Sequence, residues 1–289
     1  MWLPFAVVAA FLTSFLPIIN KRLLQDADVA VVAWGFNALS LPLLGVAAFS
    51  LLPATAVDAV FWAGIAASAA LNLLATLVST QALKAGDASL VTPFLTFNPA
   101  FTALIAVFTL GEVPSATGLT GIGLILAGSY AMQLTEARIV WWAPLRAMVA
   151  EPAIALSIGA SLVWGLTPIP EKIAIQHTDP ANPPLVALGS TALMALGLTM
   201  PLLGRVPTVW SQLRQGWRGF CTAGLIAGVA PVFGFSAIGL GLVGYVSAIF
   251  KLSAVFTVLW AALVLKETGL RDRLLGAALM VAGAILLGL

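Results

Sequence analysis

VTPFLTFNPAFTALIAVFTLGE (Val91–Glu112) and VSAIFKLSAVFTVLWAALVLKE (Val246–Glu267) decide the fold, because the second stretch repeats the first. A constant shift of 155 positions superposes them without a gap. Phe101 falls on Phe256, Thr102 on Thr257, Ala106 on Ala261, Leu110 on Leu265 and Glu112 on Glu267. Carried further, the shift puts Gly121 on Gly276 and Ala127-Gly128 on Ala282-Gly283. Upstream, Pro17-Ile18-x-x-Lys21 echoes Pro168-Ile169-x-x-Lys172 at a shift of 151. Self-similarity at a fixed offset marks a repeat architecture. The expected organisation is therefore two halves, residues 1–145 and 146–289.

Composition sets the environment. Apolar residues make up 61% of the chain and charged residues 8%, against about 25% charged in a soluble domain. Such a chain cannot cover a water-facing surface, so its expected partner is the lipid bilayer. A formal charge of +2 without a basic stripe argues against a nucleic-acid partner. Cys221 and His177 are each the single residue of their type, which rules out a Cys/His metal site and an HExxH protease. No catalytic residue, metal or cofactor is expected. The start of the chain is not expected to be a cleaved signal, since Lys21-Arg22 follow the first apolar run instead of preceding it.

A spanning helix needs about 20 mainly apolar residues. Ten segments qualify: 2–22, 29–52, 58–82, 88–110, 115–134, 153–176, 184–203, 219–240, 244–265 and 271–289. The linker between the halves carries Trp141-Trp142 and Arg146, which suit a short interfacial helix. The loops after the odd-numbered segments hold 11 of the 13 lysines and arginines. The positive-inside rule puts those loops in the cytoplasm and both termini outside. Five helices per half is an odd number, so the second half starts from the opposite face. The expected fold is an all-α polytopic membrane protein, ten transmembrane helices arranged as two inverted five-helix repeats. Many secondary transporters are built this way.

F-T-x-L-x-A-x3-L-x-E occurs twice, within Pro99–Glu112 and Ser253–Glu267, each time followed by a helix bearing G-x6-G. In these motifs and over essentially its whole length the chain resembles the drug/metabolite transporter superfamily, EamA branch. The resemblance implies a ten-helix basket around a central cavity, with the fifth helix of each repeat at the periphery. It implies transport of amino acids, drugs, nucleotide sugars or sugar phosphates. Exporters of aromatic amino acids of the YddG type are the nearest functional analogue it suggests. It also implies a multi-pass protein of a bacterial-type plasma membrane, monomeric or weakly self-associating.

Lys251 is the sharpest candidate for chemistry. It lies seven residues beyond Gly244, about 10 Å into its segment. A lysine at that depth costs roughly 2.5–3.5 kcal/mol and should face a cavity or a partner. It reads either as an anchor for a substrate carboxylate or phosphate, or as a side chain that snorkels to the interface. Asn37, Asn72 and Asn98 lie at mid-helix, where an amide can orient a substrate or join two helices. Phe97, Trp164 and Tyr245 suit the wall of an apolar pocket. Pro17, Pro168, Pro93 and Pro99 interrupt helical hydrogen bonding and are candidate hinges. Glu112 and Glu267 end the fourth and ninth segments and suit caps on the helix that follows each.

No segment carries a carboxylate at its middle, where proton-coupled antiporters place one. The expected mechanism is alternating access without a built-in proton relay. The substrate is a small molecule, and the leading expectation is export of amino acids, aromatic ones included. Exchange of phosphate-bearing metabolites or nucleotide sugars, or multidrug export, is the alternative.

Overall fold

The structure, a computed structural model, describes residues 1–50, 54–86, 88–137, 151–205, 208–264 and 270–289. Glu267 and the expected interfacial helix around Trp141, Trp142 and Arg146 lie outside the described residues. In chain order the helices are α1 (Trp2–Thr13), α2 (Leu16–Leu23), α3 (Val29–Ser50), α4 (Ala59–Ala85), α5 (Ala88–Leu95), α6 (Asn98–Thr109) and α7 (Ala116–Ala137). There follow α8 (Pro152–Leu166), α9 (Pro168–Gln176), α10 (Pro183–Arg205), α11 (Val209–Gln215), α12 (Trp217–Leu240), α13 (Val243–Phe250), α14 (Leu252–Val264) and α15 (Leu270–Gly288). A two-residue ribbon, β1 (Ala56–Val57) against β2 (Thr178–Asp179), is antiparallel, with Ala56 opposite Asp179.

Among the described residues, seven helical stretches are long and apolar enough to cross a membrane: 2–23, 29–50, 59–85, 91–109, 152–176, 217–240 and 243–260. They are apolar on every side, which in a soluble protein would leave no face for water. Phe108 is 81% exposed and Phe49 69% exposed, which lipid tolerates and water does not.

Four of the segments expected to be continuous are broken near their middles. The breaks fall at Ser14-Phe15, Thr96-Phe97, Thr167 and Lys251. At each the amide hydrogen bond tightens by one residue: Phe15 N–H to Leu12 O, Phe97 N–H to Phe94 O, Thr167 N–H to Trp164 O and Lys251 N–H to Ala248 O. Proline explains three of them. Pro17, Pro99 and Pro168 sit in the first turn of α2, α6 and α9, where the missing N–H is harmless to the new helix but interrupts the old one. Hydroxyls take up carbonyls next to these breaks. Ser14 Oγ donates to Phe11 O, Thr96 Oγ1 to Pro93 O and Thr167 Oγ1 to Trp164 O. The fourth break has neither proline nor hydroxyl. At the position that the 155-residue shift equates with Thr96 stands Lys251.

Packing divides the chain into two compact units, one of Met1–Ala70 with Pro170–Leu240, the other of Leu71–Ile169 with Gly241–Leu289. Each draws helices from both sequence repeats, so the repeat is a unit of ancestry and not a unit of packing. In the first unit α3 packs against α10 and α12, and α1 packs against α12. Small residues permit this: Gly224 and Gly228 of α12 abut Leu39 and Leu43 of α3. In the second unit α7 packs along α15, while α6 packs against α8 and α13. Apolar burial drives little between helices in lipid, so close backbone approach and interhelical hydrogen bonds hold these contacts.

Candidate functional site

The second unit holds most of the candidate residues. Helix α13 is its innermost element: Val243, Gly244, Val246, Ser247, Ala248 and Ile249 are all buried. A methyl group on Gly244 would lie 2.6 Å from Ala103 Cβ, so α13 and α6 touch backbone to backbone. The first residue of α13, Val243, meets Glu112, three residues beyond α6. The two helices therefore run antiparallel from a shared end. Counting from Gly244 and Ala103, Lys251 is about 10 Å and Asn98 about 7.5 Å into the unit. They stand at similar depth.

Lys251 caps the C-terminus of α13 and is partly buried. Among the described residues its ammonium has no hydrogen-bond or ion-pair partner. The Oδ1 of Asn98 is buried and likewise has no hydrogen-bond partner among them, and neither has Ser161 Oγ on the adjoining α8. Buried polar atoms are nearly always paired. Two buried unsatisfied atoms thus lie on the adjoining helices α6 and α8, and Lys251 ends α13, which also packs on α6. Phe97 stacks on Phe94 at 6.2 Å and meets Tyr130 edge-on at 6.1 Å, giving an aromatic cluster beside Asn98 in sequence. Trp164 lies three residues before the α8–α9 break and is partly buried; a methyl on Gly165 would lie 3.0 Å from Asn98 O. Asn72, on α4, belongs to this unit and has an interaction partner of its own.

Two candidates are placed differently. Asn37 belongs to the other unit and donates to Ala33 O on its own helix. Tyr245 spends its hydroxyl at the end of the unit: it accepts from Ser115 N–H at 2.9 Å and lies 3.2 Å from Ser115 Oγ, just before α7. There is no room for a side chain on Gly118, which faces that hydroxyl. Beside it, Glu112 Oε2 accepts from Val243 N–H at 2.7 Å. Glu112 thus caps α13, 131 residues away. Gly111, at φ +67°, makes the turn that aims the carboxylate. Pro93 sits inside α5, three residues before the Thr96-Phe97 break.

The first unit has a clasp that sequence reasoning missed. Asp58 caps α4, accepting from Val60 and Phe61 N–H, and its Oδ2 lies 2.7 Å from His177 Nδ1. The Phe61 amide and the His177 ring hold the Asp58 carboxyl below its ordinary range. Asn182, 1% exposed, donates to Ala48 O and Thr55 Oγ1 and fastens the same loops. An aspartate just before an apolar run signals a cap, but nothing local in the sequence points to His177 as its partner. Ser68 Oγ also donates to Glu171 Oε1 at 2.7 Å, so Glu171 reaches α4.

The sequence pattern of the EamA-like transporter family matches residues 1–133 and again 151–289. The chain belongs to the EamA-like transporter family. Its two matched stretches are the two repeats visible in the sequence, and family members are membrane transporters of small molecules. A solved structure titled only as the crystal structure of a protein matches 99% of this EamA-like chain and 95% of its own, with a TM-score of 0.79 at 14% identity. At that identity the likeness speaks for the fold alone. No curated protein matches the sequence.

Proposed function

We propose that this EamA-like protein exports amino acids, aromatic ones included, by alternating access around a central cavity. Ten spans form two inverted five-helix repeats in a bacterial-type plasma membrane, with both termini outside. The protein works as a monomer or weak oligomer. The observation that carries the reading is Lys251: a cation at a mid-helix break, without a partner among the described residues, level with the unsatisfied Asn98. Transporter sites are commonly built where helices are discontinuous. An ammonium there suits a substrate carboxylate, Asn98 suits an amino group, and Phe94, Phe97 and Tyr130 suit an aromatic side chain. Pro17, Pro99 and Pro168 mark breaks at which half-helices can tilt, with Pro93 one turn upstream.

Lys251 suits a phosphate equally well, which keeps phosphate-bearing metabolites as the second reading. Proteoliposome counterflow separates them. Labelled phenylalanine or tryptophan should exchange through the wild type and fall at least ~10-fold with Lys251→Ala. If aromatic amino acids fail and sugar phosphates exchange in a Lys251-dependent manner, the second reading replaces the first. Exchange that is indifferent to Lys251 ends both.

A further inference from the structure

A cleft of about 620 Å³ opens where the α2–α3 turn meets the start of α12. Arg22 and Arg218 line it, and Asp26 is the one acid among the lining residues. Neither arginine has an ion pair among the described residues. Arg218 is held over the Trp217 ring at 5.4 Å, a cation–π contact that fixes the guanidinium without neutralising it. Gln212 braces one end of the cleft: its Oε1 accepts from Asp28 N–H at 2.8 Å and its Nε2 donates to Thr208 Oγ1 at 2.9 Å. Trp217 is 57% exposed and Trp210 on α11 is 75% exposed. Exposed tryptophans at the ends of apolar helices sit at headgroup depth.

We propose that this cleft is a phosphate-binding site at the membrane interface. Two guanidiniums present planar forks that match phosphate oxygens, and the lining keeps a net positive charge after Asp26 is counted. The phosphate comes from an anionic lipid headgroup or from solution. The site lies wholly within the first unit and does not depend on which solute is carried.

The test uses the full chain in nanodiscs of mixed phosphatidylglycerol and phosphatidylcholine, with native mass spectrometry of retained lipid. Each basic residue near a membrane surface is worth roughly fivefold in affinity for anionic lipid. Wild type should retain phosphatidylglycerol over phosphatidylcholine at least ~5-fold, and Arg22→Ala/Arg218→Ala should bring the ratio to parity. Arg214→Ala removes an exposed charge of α11 outside the cleft and should leave the ratio well above parity. Should the double alanine variant misfold, Arg22→Gln and Arg218→Gln singly replace it. A melting point raised by inorganic phosphate in wild type alone, without lipid preference, would assign the site to soluble phosphate. No lipid preference and no phosphate effect, or a preference that survives loss of both arginines, overturns the proposal.

Discussion

A methyl group placed on Gly121 would lie 2.9 Å from the carbonyl oxygen of Gly283, and one placed on Gly283 would lie 2.5 Å from the carbonyl oxygen of Gly121. Gly128 and Gly276 face each other in the same reciprocal way. The 155-residue shift turns Gly121 into Gly276 and Gly128 into Gly283. Equivalent helices of the two repeats therefore lie side by side and antiparallel, the register that inverted repeats require. The G-x6-G spacing is then a packing device: two turns of helix separate glycines on one face, and each meets a backbone oxygen.

Gly283→Leu should be destabilising. Overpacking a tight contact costs about 1–3 kcal/mol, and here the obstacle is backbone, which cannot rotate away. Thermal melts followed by size exclusion should show a lower midpoint for Gly283→Leu and none for Gly123→Leu. Gly123 lies on α7, the helix that packs along α15, but has nothing within 4 Å of an added methyl. Equal losses in both variants would sink the packing argument.

Labelling tests the inversion directly. With Cys221 replaced by Ala, cysteines at Lys84 and Arg214 should react with an impermeant maleimide from one face only. Cysteines at Val113 and Asp179 should react from the other. All four positions are exposed. Lys84 and Val113 sharing a face would contradict the proposed topology.

Much of this was legible in the sequence. Helix positions followed from apolar runs and turn residues, and the repeat followed from identity at one shift. Pro17, Pro99 and Pro168 flag interrupted hydrogen bonding at three of the mid-helix breaks, but a proline alone does not say whether its helix bends or ends. At the fourth break the sequence offers only Lys251, whose charge signals a cavity or partner at depth and not a helix end. Partners were also hidden. Position in sequence points Glu112 at the helix that follows and Tyr245 at a pocket wall, and neither reading discloses Val243 or Ser115 as a partner. Pairings across more than a hundred residues have no local signature.

Glu112 permits a discriminating substitution. Glutamine keeps an oxygen acceptor for Val243 N–H and alanine removes it. Losing a cap costs about 0.5–2 kcal/mol. Glu112→Ala should melt several degrees lower, whereas Glu112→Gln should stay near wild type and retain transport. A Glu112→Gln protein that is stable but inactive would instead give this carboxylate a proton to carry.

The Asp58–His177 clasp predicts a pH dependence. The folded Asp58 carboxyl titrates below its ordinary value. The linked stability is therefore present above about pH 3.9, the unfolded value, and is lost as pH falls through the lower folded value. Asp58→Ala should lower the melting point at neutral pH, and the gap to wild type should close under acid. A gap that is constant from pH 7 to below 4 would show that the charge on Asp58 contributes nothing.

Lys251→Met joins stability to function. Methionine has nearly the same reach and volume but carries no charge to desolvate. A lysine at this depth in a span costs a few kcal/mol, and Lys251 is partly buried with no partner among the described residues, so removing its charge should raise the melting point of the ligand-free protein. The same change deletes the group proposed to bind the substrate carboxylate, so exchange should fall at least ~10-fold. Stability gained and activity lost at one residue is the mark of a site held strained for a ligand. A snorkelling lysine predicts neither: its charge is already in water, so the melting point would stay put and exchange would continue. Melting curves and counterflow on the same preparation of Lys251→Met decide between the two.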